Sequence, residues 1–301
     1  MKPNDLSPGQ IAQIACILEV SAYKPGNVHP GHAFSDVDFL DFLLSATAIA
    51  NPLDRAREQG VGASVLEAVA ATRRVVASNT NLGMILLLAP LAAVPPDEPL
   101  REGVHRVIAA TTQVDASLVY QAIRLARPGG LQTASEQDVA DEPTVTLLEA
   151  MRLASERDLV ARQYARDYID IFELALPALR AAQASGYALE TAITLSYLTI
   201  LAHHPDSLIA RKRGALEAAQ ASQKAAEVLA NGWPQSSAGL RLFQEFDRWL
   251  QAEGHARNPG TTADLVSAAL FVALSDGTIP LPRTQGPSSW SRAAMDENRL
   301  D

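Results

Sequence analysis

The chain has 301 residues, 48 % apolar and 20 % charged, which allows a sizeable buried core and excludes an intrinsically disordered chain. A net charge of −9 and a pI near 5.2 exclude nucleic acid as a main partner, because phosphate backbones call for basic faces. The longest greasy stretch, Leu82 to Val94, is shorter than the roughly 18–20 apolar residues of a membrane span, and Met1 to Gln10 has no signal-peptide pattern, so a cytoplasmic protein is expected.

Helical periodicity begins at once. Ser7-Pro8 is a start signal, and Ile11, Ile14, Ala15, Leu18 and Ala22 follow at steps of three and four. Cys16 lies in this stretch as the chain's one cysteine, so no intrachain disulfide exists and the thiol reads as a small buried hydrophobe. The cluster Ser21-Ala22-Tyr23-Lys24-Pro25-Gly26-Asn27-Val28-His29-Pro30 then ends the helix, since Pro and Gly break the hydrogen-bond ladder. Ser35 reads as the N-cap of a helix to about Ala50, with Asp36 and Asp38 in its first turn. Further helices are predicted over 60–77, 81–93, 98–112, 114–126 and 144–154, and longer ones over 168–185, 187–203, 206–231, 236–253 and 261–275.

Short Pro/Gly joints separate them, none long enough for an interdomain linker. The acidic stretch Gln132 to Pro143 reads as an exposed loop, and no run alternates like a strand. The prediction is an all-α, single compact domain of about ten or more helices over 1–278, with a loosely ordered polar tail over 279–301.

Four polar clusters interrupt the helical pattern. Besides Lys24–His29 they are Ser78-Asn79-Thr80-Asn81-Leu82-Gly83, His203–Gly214 and Asn258-Pro259-Gly260-Thr261-Thr262-Ala263-Asp264-Leu265. Helix N-termini favour anions, phosphate above all, so the clusters point to a phosphorylated ligand held between helices. Asp206 with Arg211 and Lys212 suits a metal-and-phosphate arrangement, or equally a capped helix with a solvated basic turn. Thr261 or Thr262 with Asp264 also has an ordinary capping reading. Asp36, Asp38 and Asp41 either converge on a cation or complement the helix dipole. Adjacent His203 and His204 point about 100° apart on a helix and have no third ligand at matching spacing, which argues against zinc. Neither a P-loop nor a Rossmann glycine fingerprint is present.

Taken in order, these clusters resemble the triphosphoribosyl-dephospho-CoA synthase family. The resemblance rests on Lys24-Pro25-Gly26-Asn27, the Asp36–Asp38 segment, Ser78 to Gly83, Tyr120 to Leu131, Asp206 to Gly214 and Asn258 to Leu265, and spans about residues 10–277. It implies an all-helical transferase in which the ribose 2′-hydroxyl of 3′-dephospho-CoA attacks C1′ of ATP and adenine leaves. ATP is then a substrate and Mg2+ the expected cofactor, with small nucleotide and coenzyme ligands as partners. By the resemblance, Lys24, Arg211 and Lys212 grip phosphates, while Asn27, Asn79, Thr80, Asn81 and Asn258 orient ribose or phosphate. Asp36, Asp38 and Asp206 are implied for catalysis, and Asp38, Asp206 and Asp264 for magnesium.

The chain also departs from the family. Asn79-Thr80-Asn81-Leu82-Gly83 stands where the family reads Asn-Thr-His-Lys-Gly, and Gly31 to Asp38 lacks the Lys of Gly-Ala-His-Lys-Asp-Met-Asp. Asp206-Ser207-Leu208 replaces Asp-Thr-Asn. Two cations are thus missing near a triphosphate, which predicts a divergent branch with another donor or acceptor, as in methanopterin-type one-carbon metabolism. A metal-dependent nucleotide N-glycosidase and a non-catalytic nucleotide-binding protein are the competing readings. A homodimer is a further expectation, although Leu82 to Ala93 would pack equally well inside the monomer.

Overall fold

Capping chemistry sets where the chain enters its helices. The computed structural model describes residues 6–130 and 136–279. In chain order its helices are α1 (Pro8–Ser21), α2 (Phe39–Asp54), α3 (Ala56–Gln59), α4 (Val61–Val75), α5 (Leu82–Ala92), α6 (Leu100–Ala109), α7 (Gln113–Ala126), α8 (Leu147–Ala154), α9 (Leu159–Ala165), α10 (Leu176–Ala184), α11 (Leu189–His203), α12 (Ser207–Arg213), α13 (Ala215–Ala230), α14 (Ser237–Gln251) and α15 (Gly260–Ser275). A π-helical turn, Ile171–Ala175, precedes α10. Among the described residues there is no strand, only an isolated bridge between His29 and His32, so the all-α expectation holds. None of these helices is long and apolar enough to cross a membrane.

Reciprocal caps start several of them. Ser7 accepts from the Gln10 N–H while the Gln10 side chain accepts from Ser7, and Thr112 with Asp115 and Thr146 with Glu149 repeat the device at α7 and α8. Asp38 and Asp41 form the same box, so α2 starts at Phe39 rather than at Ser35. The predicted 206–231 helix is two helices, because Gly214 at φ 92° takes a conformation that side-chain-bearing residues rarely adopt. Of the predicted 168–185 helix, the first turns are irregular: Tyr168 has φ 58° and the π turn follows. Helices α3 and α9 are too short for periodicity to reveal. The expected tail, beyond a buried Ile279, lies outside the described residues, as does 131–135 of the expected loop.

Helices α5 and α15 are buried on nearly every face and form the centre. They pack on each other; α1 lies on α15 and α2, α4 on α2 and α7, and α13 on α11 and α14. The Leu82–Ala93 stripe is therefore spent on the chain's own core, which removes the reason for expecting it across a dimer.

Running α5 through the centre creates a polar problem. Pro90 has no N–H, so the carbonyl of Leu86 loses its partner one turn back. The buried Tyr164 hydroxyl donates to it at 2.6 Å, and Tyr168 donates to the Leu87 carbonyl at 3.1 Å. Tyr164→Phe is expected to cost about 1–3 kcal/mol in denaturant unfolding, since it strands a buried carbonyl without changing volume much. An unchanged midpoint would mean that the bond carries no weight.

Candidate functional site

The Lys24 turn shows what the polar clusters do. Helix α1 ends at Ala22, and Lys24 folds back under its last turn, fully buried. Its ammonium donates to the carbonyls of Glu19 and Ala22 (3.0 Å to the latter) and pairs with Glu19 Oε1 at 3.0 Å. All three donors are used, so the phosphate-gripping role expected of Lys24 has no donor left to carry it. Lys24 instead caps α1 and holds Glu19, whose carboxylate burial pushes upward and Lys24 pulls back. Asn27 follows, its amide donating to Tyr197 Oη at 2.9 Å.

Glu19 and Asn27 line a cleft of about 1620 Å³. That exceeds the roughly 300–1,000 Å³ of a site for one drug-sized ligand and leaves room for two. First-turn residues of four helices also line it: Gly83 and Met84 of α5, Leu159 of α9, Ser207 of α12 and Thr261 of α15. Four helix starts thus meet at one space, but Asp158 caps α9, and Asp206 caps α12 and takes the Thr262 N–H of α15, so α5 is the start among them that keeps open N–H groups. Asn79 Oδ1 accepts from Leu82 N at 3.2 Å, but among the described residues no side chain caps the N–H groups of Gly83 and Met84. Thr80 Oγ1 bonds Ser45 Oγ at 2.6 Å, and Asn81 donates to Thr72 Oγ1 at 3.2 Å, so Asn79, Thr80 and Asn81 fix the entry to α5 from the cleft wall.

Among the described residues six cations line the same cleft: Arg73, Arg127, Arg157, Arg162, Arg211 and Lys212. Five acids, Glu19, Asp36, Glu156, Asp158 and Asp264, line it too, so the lining is close to charge balance in a chain of net charge −9. Arg211 pairs with Asp158 and Arg162 with Asp170. Lys212 donates to the His255 carbonyl at 3.2 Å, and burial lowers its pKa. Arg73, Arg127, Arg157 and Lys212 contact no carboxylate among the described residues. The first four of the six cations were not singled out from the sequence. Only proximity to the polar clusters, as with Arg127 before Pro128-Gly129-Gly130, hinted at them.

The acidic residues divide sharply. Asp38 caps α2 and is not among the residues lining the cleft, so it does not join the expected catalytic and metal sets. Asp206 is fully buried; Oδ1 accepts from Leu208 N (2.8 Å) and Ile209 N (3.1 Å), and Oδ2 from Thr262 N (2.7 Å) and Thr262 Oγ1 (2.8 Å). With both oxygens doubly occupied it staples α12 to α15, and the base and metal roles expected of it have no free lone pair to use. Asp36 is exposed at the cleft edge, paired with His255 Nδ1 at 3.0 Å.

Asp264 is different. It lines the cleft and makes no hydrogen bond or ion pair among the described residues. Its carboxylate lies so close to Gly83 that a Cβ there would sit 1.9 Å from Oδ2, so glycine is required. Burial, then Glu19, Asp206 and Asp158, hold its pKa well above the carboxylate range, with only Arg211 opposing. Asn258 Oδ1, also in the cleft wall, is buried without a partner. No group of three His, Cys, Asp or Glu side chains could cage a metal among the described residues, so the expected Asp38, Asp206 and Asp264 set is not assembled.

One residue set aside at the sequence level stands in the wall. His204 lines the cleft, its Nε2 3.1 Å from Asp170 Oδ1. Asp170 Oδ2 accepts from Arg162 Nε and Gln163 Nε2, each at 2.8 Å. Burial pushes the Asp170 carboxyl up, but the bonds from His204, Arg162 and Gln163 outweigh it and hold the group well below the usual range.

The family model described as CitG, ATP:dephospho-CoA triphosphoribosyl transferase, matches residues 6–281. A crystal structure from Archaeoglobus fulgidus, of a protein assigned as a triphosphoribosyl-dephospho-CoA synthase, superposes with a TM-score of 0.61 at 24 % identity, covering 79 % of this chain and 100 % of that one. That likeness speaks to the fold. No curated protein matches the chain.

Proposed function

The chain belongs to the ATP:dephospho-CoA triphosphoribosyl transferase family, and we propose that the cleft built on α5, α9, α12 and α15 is where ATP and dephospho-CoA meet. It is a transferase that moves the triphosphoribosyl group of ATP onto dephospho-CoA with release of adenine. The observation that carries the assignment of the site is that six cationic side chains of the described residues and the open N–H groups at the start of α5 face one space large enough for two ligands. Arg211 and Lys212, with Arg73, Arg127 and Arg157, hold the triphosphate and supply the charge that the motif's missing His and Lys would have brought. The open N–H groups of Gly83 and Met84 add neutral donors to the same oxygens. Asn27, Asn79 and Asn258 orient ribose, Asn258 through an oxygen that otherwise lies buried and unpaired. Thr80 and Asn81 brace Asn79 from behind.

The family implies Mg2+, and the donor set suits it at one carboxylate. Mg2+ is commonly held by one or two carboxylates plus substrate phosphates and water rather than by an all-protein cage. Asp264 is a half-buried carboxylate without a cation partner among the described residues, set among other acids, which is the environment a dication relieves. When bound, Mg2+ would neutralise triphosphate charge. The protein's own residues do the remainder: the cations and the open N–H groups of α5 hold the triphosphate, and the amides of the wall orient ribose.

Titration calorimetry with ATP, ADP and adenosine, with and without Mg2+, tests this directly. ATP binding that strengthens with Mg2+ and exceeds that of adenosine is expected, followed by adenine release on adding dephospho-CoA. Adenine release without any acceptor would favour the N-glycosidase reading, and binding of none of the three would overturn the assignment of the cleft.

A further inference from the structure

Resting on the transfer reading above, we infer that His204 is the proton-transfer residue of this site and that Asp170, clamped by Arg162 and Gln163, positions it. The His204 ring stands in the cleft wall with one nitrogen on a carboxylate and the other without a partner among the described residues. An ionised carboxylate only accepts, so Nε2 carries the hydrogen shared with Asp170, and in the neutral ring the lone pair is on Nδ1. That tautomer makes His204 a base before the reaction and an acid after it.

The support behind the ring is unusually complete. Asp170 is buried, and its second oxygen takes one hydrogen bond from the Arg162 guanidinium and one from the Gln163 amide, both at 2.8 Å. The His204 backbone N–H is itself held by the Ile200 carbonyl at 2.9 Å, closing α11. Two residues on, Asp206 pins the start of α12 to α15. The ring therefore sits on a corner fixed from both sides, as a general base must be. Of the other acids and the second histidine of the wall, Glu19 is committed to Lys24, Asp158 to Arg211 and the α9 cap, Glu156 to Arg166, and Asp36 and His255 to each other, while Asp264 is the carboxylate assigned above to Mg2+.

The step balances within the known reactants. As the 2′-oxygen of dephospho-CoA forms its bond to C1′ of ATP, the hydroxyl O–H breaks and its proton passes to His204 Nδ1. The C1′–N bond to adenine breaks with its electron pair going to adenine. The imidazolium then returns its proton to the departing base, so one proton moves from hydroxyl to adenine and His204 ends neutral. Asp170 is never protonated in the cycle; it stabilises the transient cation, as a carboxylate behind a catalytic imidazole does.

The test uses the full chain with ATP, Mg2+ and dephospho-CoA, following adenine release chromatographically and ATP affinity by calorimetry. His204→Gln is expected to lower kcat about 10²–10⁴-fold with ATP affinity unchanged. Imidazole added to His204→Ala should restore part of the rate, and Asp170→Asn should lower kcat and move the pH–rate profile, neither of which a packing role would produce. Undiminished turnover in His204→Gln, beside active wild type, would overturn this inference alone. So would a His204→Ala variant that has lost ATP affinity and gains nothing from imidazole. A wild type that releases no adenine with dephospho-CoA would overturn the transfer reading and this inference with it.

Discussion

Asp206→Ala is expected to lose about 3–5 kcal/mol of stability, a large share of the roughly 5–15 kcal/mol that holds a folded protein. The carboxylate accepts four hydrogen bonds from three residues while fully buried. Removing it uncaps α12, worth about 1 kcal/mol by itself. It also strands the buried Thr262 N–H and hydroxyl, at roughly 1–3 kcal/mol for each unpaired group. Asp206→Asn should be little better, because its amide nitrogen would point a donor at donors on one side. Denaturant unfolding of both variants measures the effect, and a conserved slope with a lowered midpoint separates it from a change in the unfolded state. Had Asp206 been a metal ligand, its loss would instead spare the stability of the metal-free protein. A variant as stable as wild type would return Asp206 to the list of catalytic acids.

That reversal marks where sequence reading stops. The all-α architecture was legible because helices announce themselves through periodicity and through caps such as Ser7 with Gln10. The polar clusters were legible too, since Pro, Gly and successive Asn are anomalies inside such a pattern. Which side chain of a cluster faces the cleft is decided by packing between helices far apart in the chain. Lys24 reads as a phosphate cation until α1 is seen to end above it and Glu19 to turn inward. Asp206 reads as a ligand until Thr262, 56 residues on, takes two of its bonds. His204 and Asp170 stand 34 residues apart, and the irregular turn that brings Asp170 near was predicted as plain helix. Arg73 and Arg157 carry no local signature at all; they are charged residues at helix ends whose common target is visible only in three dimensions. Cations of other elements line the cleft as well, so the absence of the motif cations does not empty it of positive charge.

Asp264→Asn should separate function from stability more cleanly than any other change. In the fold its pKa is raised, chiefly by burial and then by Glu19, Asp206 and Asp158. The folded protein therefore holds this proton over a pH range in which the unfolded chain, at an ordinary carboxyl pKa of about 4, has released it. Where the folded state binds more protons, stability falls as pH rises. Wild type thus carries a penalty that is absent below about pH 4 and grows as pH climbs from there towards the raised folded value. Asparagine has nearly the same shape and no charge to desolvate, so the variant should melt above wild type at pH 7–8, with the gap closing towards pH 4. Turnover should nonetheless fall by about 10²-fold or more, because the one cleft carboxylate without a protein partner among the described residues is gone. The additional stabilisation that ATP with Mg2+ gives to wild type should shrink to what ATP gives alone. Scanning calorimetry from pH 4 to 8, with and without ATP and Mg2+, reads all of this from one pair of proteins. A variant that melts lower at pH 8 would show Asp264 to be a structural acid. One that melts higher and keeps wild-type turnover would take the Mg2+ role away from Asp264. An acid whose ionisation the fold resists, standing at the junction of four helix starts, is what a functional acid looks like, and the fold's preference for asparagine there is the measurable trace of it.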